Sequence, residues 1–275
     1  MPAVSGRAGV VVLYVSHMTE SVRAWHPAVP TVREVLHATF EQHAYPAHTH
    51  DAWTLLLIDE GAVAYDLDRS RHHAVPGALS LLPPRIPHDG RSAVAGTAFR
   101  KRVLYLDEDW LPGAAADAAA ARPTTQDPRT LRALAGVHHA LDFPHDAMAA
   151  EEGVLALREL VSEHLGAAPV ETRDVPLARR LRALLDDRLD ETFPLAEAAE
   201  LLGAHPGHLV RVFSQTYGIA PHRYVTGRRV DRARRLLLAG WSVADAAVEV
   251  GFHDQAHLSR HFRRTLGTTP GAFAA

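Results

Sequence analysis

The chain has 275 residues, 47% of them apolar, no cysteine, and a formal net charge of −3. That length suits two modest domains that can each bury a core, and the missing cysteines exclude disulfides and thiolate metal sites. The longest apolar runs, "GVVVLYV" and "TLLLI", fall short of the roughly 18 residues of a membrane helix, and the first residues lack a signal-peptide pattern, so a cytoplasmic protein with no membrane partner is expected.

The first 30 residues form no clear pattern, and "MTESVRAWHPAVP" from Met18 itself resembles an N-terminus, so residues 1–30 are read as an uncertain extension. Residues 31–110 alternate short apolar runs ("REVLHATF", "AWTLLLI", "AVAYDLD", "RHHAV", "ALSLL", "FRKRVLYLD") with Gly, Pro, Asp and Ser turn signals. Several short strands at such spacing predict a sandwich or small barrel. Within it, "PAHTHDAW" and "PPRIPH" nominate His48, His50, Trp53 and His88 as residues lining a pocket or its rim.

Together with "HTH" and "PPRIPH", the strand pattern resembles a cupin barrel of the kind that serves as an effector domain. A metal-binding cupin would add a carboxylate a few residues after its paired histidines. Here Thr54 and Leu55 stand at that place, and on a regular strand Asp51 faces away. The expectation is therefore no metal and no cofactor, with a three-histidine site at His48, His50 and His88 as the alternative. His72, His73, His138 and His139 are read as surface residues.

Beyond the barrel, "RTLRALAGVHHALDF" and "MAAEEGVLALRELVSEHLG" predict a helical hairpin over 127–166. Val154, Leu157, Val161 and Leu165 make an apolar stripe that either packs on the barrel or joins two subunits. "AAPVETRDVP" over 167–176 is the expected linker. Charge also divides here: residues 1–175 hold 15 basic and 22 acidic side chains, net −7, while residues 176–275 hold 14 and 10, net +4. The second part, 177–275, thus has the sign that suits nucleic acid.

That part contains a repeat. "PLAEAAELLG" and "SVADAAVEVG" align 48 positions apart, with apolar residues at i, i+3, i+4 and i+7. After one extra residue in the second turn, Leu209, Arg211, Phe213, Thr216, Gly218 and Pro221 answer Leu258, Arg260, Phe262, Thr265, Gly267 and Pro270. Each copy reads as a helix, a turn at glycine and a second helix ended by glycine, with "HRYVTGRRVDRARRLLLAG" as a long helix between them. Ser242 and Asp254 are the expected N-caps.

"VEVGFHDQAHLSRHFRRTLGTTP" resembles the C-terminal signature of AraC-type transcription regulators, and the resemblance covers about the last hundred residues. It implies two helix-turn-helix units whose second helices enter successive major grooves. It nominates Gln255, His257 and Arg260 in the second unit, and His208 and Arg211 in the first, as DNA contacts. The expected fold is α+β, a cupin-like barrel with a helical hairpin followed by an all-α domain with two helix-turn-helix motifs. The expected protein is a DNA-binding regulator that answers to a small-molecule effector, probes double-stranded DNA as a homodimer and has RNA polymerase as a further candidate partner. The rival is a metal-dependent cupin enzyme fused to a DNA-binding module, which the missing carboxylate opposes.

Overall fold

The computed structural model describes residues 20–41, 44–166 and 174–274. Its first part holds β1 (Ser21–Trp25), β2 (Val32–Phe40), β3 (Ala44–His48), β4 (Trp53–Glu60), β5 (Val63–Leu67), β6 (Ser70–Ala74), β7 (Leu79–Leu82), β8 (His88–Ser92) and β9 (Phe99–Leu106). Then come α1 (Ala115–Ala121), β10 (Thr124–Thr125), α2 (Pro128–Leu141) and α3 (Ala147–His164). One antiparallel sheet runs β1-β2-β9-β4-β7-β10, and a second runs β3-β8-β5-β6.

The centre of the larger sheet is buried on both faces, while its edge strand β1 is exposed. Alternate residues of β4 point to opposite sides: Leu56 and Ile58 meet Val63, Tyr65 and Leu67 of the smaller sheet, while Trp53, Leu55 and Leu57 pack toward the helices. This is why "TLLLI" is an unbroken apolar run rather than an alternating one. On the helical side, Val154, Leu157 and Val161 of α3 join Leu134 and Val137 of α2 against Val35, Leu104 and Leu106. The apolar stripe of α3 thus covers its own barrel.

Two expectations shift here. The stretch 21–25, read as extension, is strand β1, paired with β2 from Ser21↔Thr39 to Trp25↔Val35. Its half-open edge position leaves no apolar period to read. His138, read as a surface residue, is only 1% exposed on the face of α2 that packs on the sheet. Its ring lies 3.3 Å from His37, Nδ1 to Nε2.

The second part holds α4 (Val175–Asp187), α5 (Leu195–Leu202), α6 (Pro206–Tyr217), α7 (Pro221–Leu238), α8 (Val243–Glu249), α9 (Gln255–Leu266) and α10 (Pro270–Ala274). The expected linker lies outside the described residues over 167–173, and its last two residues, Val175 and Pro176, already belong to α4. Two cores form, one from α4, α5, α6 and the start of α7, the other from the rest of α7 with α8 and α9. Helices α6 and α9 are the aligned second helices of the repeat. Each has 12 residues and ends on a left-handed glycine, Gly218 or Gly267. Ser242 caps α8 by accepting from Asp245 N, and Asp254 caps α9 by accepting from His257 N at 2.7 Å. Among the described residues no helix is long and apolar enough to cross a membrane.

The equivalent turn glycines differ in what surrounds them. Gly203 and Gly251 have φ of +63° and +86°, but a Cβ on Gly251 would also lie 2.7 Å from the backbone oxygen of Asp190. Gly203→Ala is expected to cost about 1–2 kcal/mol, for its backbone conformation alone. Gly251→Ala should cost a further 1–3 kcal/mol or so, because backbone rather than a mobile side chain must yield. Urea unfolding of the two variants checks this, and equal losses would count against the close approach.

Candidate functional site

The cavity between the two sheets opens to the surface and has an empty volume of about 520 Å³, its mouth included. Strands β3 and β8 carry His48 and His88, which are register partners, and His50 follows β3 in the loop to β4. The three imidazole rings sit 4.6 to 5.0 Å apart by centroid. His48 Nδ1 donates to the Pro46 carbonyl at 2.8 Å, and His88 Nδ1 to that of Ile86 at 3.0 Å. A carbonyl only accepts, so those protons sit on Nδ1 and each neutral ring keeps a lone pair on Nε2. Burial, then the neighbouring His88 and His48, push His50 down to about 4, and burial also lowers His88.

One ring nitrogen from each histidine lies within 4.8 Å of the others, a spacing that a metal ion could bridge. Thr54, at the place of the missing carboxylate, lines the same cavity with its hydroxyl buried and, among the described residues, without a hydrogen-bond partner. Asp51 is turned out to solvent and paired with Arg33 at 3.0 Å.

The assignment of Trp53 to this pocket is corrected. The chain bends at 51–52 before β4 begins, so parity counted from His50 does not carry across. Trp53 faces the helical side, buried against Trp110 with its indole N–H on the Glu108 carbonyl. In its place the cavity gains Tyr45, Tyr105 and Lys101. Lys101 follows the alternation of β9, on the inner face with Phe99, Val103 and Tyr105. Burial pushes Lys101 down to about 8 and Tyr105 up to about 12.

The second site is the face of α6 and α9. Arg260 donates from Nη2 to Asp146 Oδ2 at 2.6 Å, and His257 and His261 reach Oδ1 with Nε2 at 2.8 and 3.2 Å. Asp146 stands just before α3, and its side chain is 9% exposed. Phe143 lies 3.9 Å beneath the Arg260 guanidinium, and His145 stacks on His253. In the first unit Arg211 pairs with Glu159 of α3 at 3.3 Å. Between these contacts, Glu151 accepts from the backbone N–H groups of Leu195 and Ala196 at the start of α5, and Glu152 from that of His222 at the start of α7. Gln255 remains exposed at the tip of α9, and His208 is half-buried on α6. The structure thus draws Arg211, His257 and Arg260 onto the hairpin and leaves Gln255 outside.

Residues 31–158 match a family model described as an AraC-like ligand binding domain, and residues 198–275 match a helix-turn-helix domain. The chain belongs to the AraC-type transcription regulators. The HTH-type transcriptional regulator YbfI of Bacillus subtilis is 26% identical over 227 residues, 78% of this chain and 81% of that one. The arabinose operon regulatory protein of Escherichia coli is 26% identical over 220 residues, 73% and 72% of the two chains. Among solved structures, the DNA-binding domain of AdpA in complex with a target DNA matches at 33% identity and a TM-score of 0.34, covering 36% of this chain and 89% of that one. As an AraC-type regulator the chain carries a ligand-binding domain and a DNA-binding domain for double-stranded DNA.

In this regulator the acidic group at the hairpin is held ionised. Burial alone would raise the Asp146 carboxyl, but hydrogen bonds from His257, His261 and Arg260 outweigh it and hold it far below the usual carboxylate range. One ligand atom from each of Asp146, His257 and His261 also lies within 4.8 Å of the others. Arg260 already occupies the second carboxylate oxygen, so hydrogen bonds and an ion pair account for this cluster. Sequence reading missed Asp146, Glu151, Glu152 and Glu159, which act across more than forty residues of chain. Lys101 was not singled out either, although the alternation of "FRKRVLYL" sets it on an inner face.

Two histidines, His50 at the pocket and His138 on α2 against the other face of the sheet, set an acid limit on stability. His50 at about 4 and His138 at about 3 both lie below the ordinary 6.5, each chiefly through burial. Between pH 6.5 and about 4 the unfolded chain takes up protons that the folded chain refuses, so stability is full above 6.5 and falls as pH drops, by at most about 1.4 kcal/mol per pH unit for each histidine. His50→Gln is expected to flatten this fall in urea midpoints measured across that window. A curve parallel to wild type would mean that His50 titrates as it does in water.

Proposed function

We propose that this AraC-type regulator rests in a closed arrangement in which the hairpin occupies its DNA-reading arginines, and that an effector in the barrel shifts the balance toward an arrangement that reads DNA. The observation that carries this reading is the fate of the two repeat-equivalent arginines: Arg211 and Arg260 both pair with hairpin carboxylates, Glu159 and Asp146. An arginine that pairs bidentately with guanine cannot keep its carboxylate at the same time. The carboxylates on the α5 and α7 N-termini likewise stand where helix N–H groups could otherwise meet phosphate.

In this reading Gln255, His257 and Arg260, with His208 and Arg211, make base or near-base contacts once released. His48, His50 and His88 border the effector pocket. The working parts are the barrel over 31–110, the hairpin over 127–166 and the DNA-binding domain over 177–275. No catalytic step is assigned, because Thr54 replaces the expected carboxylate and a buried cation, Lys101, shares the cavity and would repel a divalent ion. A cytoplasmic location, RNA polymerase as a partner and a homodimer complete the proposal. Because the stripe of α3 is spent on its own barrel, the homodimer would use another surface.

The test uses full-length protein and DNA selected by it from a random pool. Asp146→Asn combined with Glu159→Gln should tighten binding about tenfold or more, since roughly 1.4 kcal/mol of closed-state preference is a factor of ten. Unchanged or weaker binding would reject the closed arrangement. In the same assay Arg260→Ala should cost about 1–3 kcal/mol of discrimination between selected and random DNA. Equal weakening on both, with a shallower salt dependence, would move Arg260 from reading bases to holding phosphate.

A further inference from the structure

Lys101 is the chain's one lysine beside 28 arginines, and it lies inside the barrel rather than on the surface. The residue is 9% exposed. Among the described residues no carboxylate pairs with it: Asp89, the acidic residue of the cavity wall, is taken up by Arg91 and by the backbone N–H of Asp66. The Lys101 ammonium has instead the ring of Tyr45 at 4.1 Å and that of Phe40 at 5.7 Å from their centroids. Aromatic faces stabilise a cation far less than a counter-ion does, and a buried charge without one is costly to keep. A packed core with no polar task at this position would be better served by leucine or methionine.

The rest of the cavity defines what fits beside that charge. The hydroxyl-bearing side chains of Tyr45, Tyr105 and Thr54 stand on the same wall system, and the floor is apolar, with Leu56, Val63 and Phe99. A ligand matched to this lining has one anionic head of small size and an uncharged, mostly apolar body.

Resting on the reading of the barrel as an effector pocket, we propose that the effector is a small carboxylate, its head paired with the Lys101 ammonium and its body laid on the Leu56, Val63 and Phe99 floor. The ligand supplies the counter-charge that the protein withholds. Recognition therefore depends on charge first and on the shape of the body second. A neutral molecule of the same outline would leave the ammonium buried and unpaired, and would lose water contacts without replacing them.

The experiment pairs acids with their amides on the full chain, without DNA. Benzoate and hexanoate are compared with benzamide and hexanamide, and inorganic phosphate serves as a different anion, with calorimetry and thermal melting as readouts. At least one acid is expected to bind one per chain and about 10- to 100-fold tighter than its amide, the range that a charge-assisted hydrogen bond supports. Lys101→Met should erase that preference while its unliganded melting temperature stays at or above wild type, which separates lost recognition from lost folding. The proposal is overturned if amides bind as well as acids, if Lys101→Met keeps the preference, if phosphate binds and the carboxylates do not, or if neither acid binds at millimolar concentration. Failure here leaves the DNA contacts of α6 and α9 untouched, because no DNA is present. Failure of those contacts leaves acid binding to be measured as before.

Discussion

The arrangement of the two halves depends on where the carboxylate of Asp146 finds its counter-charge and its hydrogen-bond donors. Nearly buried, it takes Arg260 on one oxygen and His257 and His261 on the other. Withdrawing charges from water costs about as much as their pairing returns, so such a cluster adds little net stability while strongly favouring one geometry. That balance is what a reversible contact requires. A large apolar interface in the same place would hold α6 and α9 permanently, whereas a charged one could exchange its carboxylates for phosphates in the proposed open arrangement.

The path from the cavity to this contact is one sheet thick. Leu56 of β4 looks into the barrel, while Leu55 and Leu57 on the same strand look toward the core that seats α2 and α3. On β9, Lys101 and Val103 face the cavity, and Leu104 and Leu106 face that second core. Close packing transmits small shifts because neither side has room to absorb them. A ligand that drew Lys101 toward its head group, as proposed, would thus act on a strand that also supports the hairpin. The hairpin in turn carries Glu151, Glu152 and Glu159 on α3, with Asp146 just before it. An effector influences DNA binding only to the extent that it binds the two arrangements unequally.

Much of this was legible in the sequence, and unevenly. The two helix-turn-helix units could be read because a helical period, a left-handed glycine and a cap recur together, and a one-residue offset in the second turn locates the start of each second helix. The barrel could be read from its turn residues, and the histidines of β3 and β8 from their motif. Trp53 went astray because a bend before β4 breaks the alternation on which the inference relied. β1 escaped because its side chains are nearly all exposed. His138 was hidden in a polar-looking pair, His138 and His139, of which only one faces the sheet. The hairpin carboxylates had no local signature, since their partners lie 44 to 115 positions away. Tertiary ion pairs of that kind leave no period to detect.

The charge asymmetry between the halves gains its meaning from the same contacts. A net −7 on residues 1–175 and +4 on residues 176–275 first reads as a division of tasks, one half for a ligand and one for DNA. The structure places hairpin carboxylates directly against Arg211 and Arg260 of α6 and α9, so in the proposed closed arrangement the asymmetry also makes the hairpin an internal competitor of DNA. Arginines neutralised by Glu159 and Asp146 hold fewer counterions to exchange than free ones would, and DNA bound there as proposed would have to displace a tethered carboxylate as well as solvent. Tethering would keep that competitor at a high effective concentration, so even weak ion pairs would set the occupancy of the proposed reading face. On the proposed reading the hairpin does more than brace the barrel: its acidic residues would fix how much DNA binding remains when the pocket is empty.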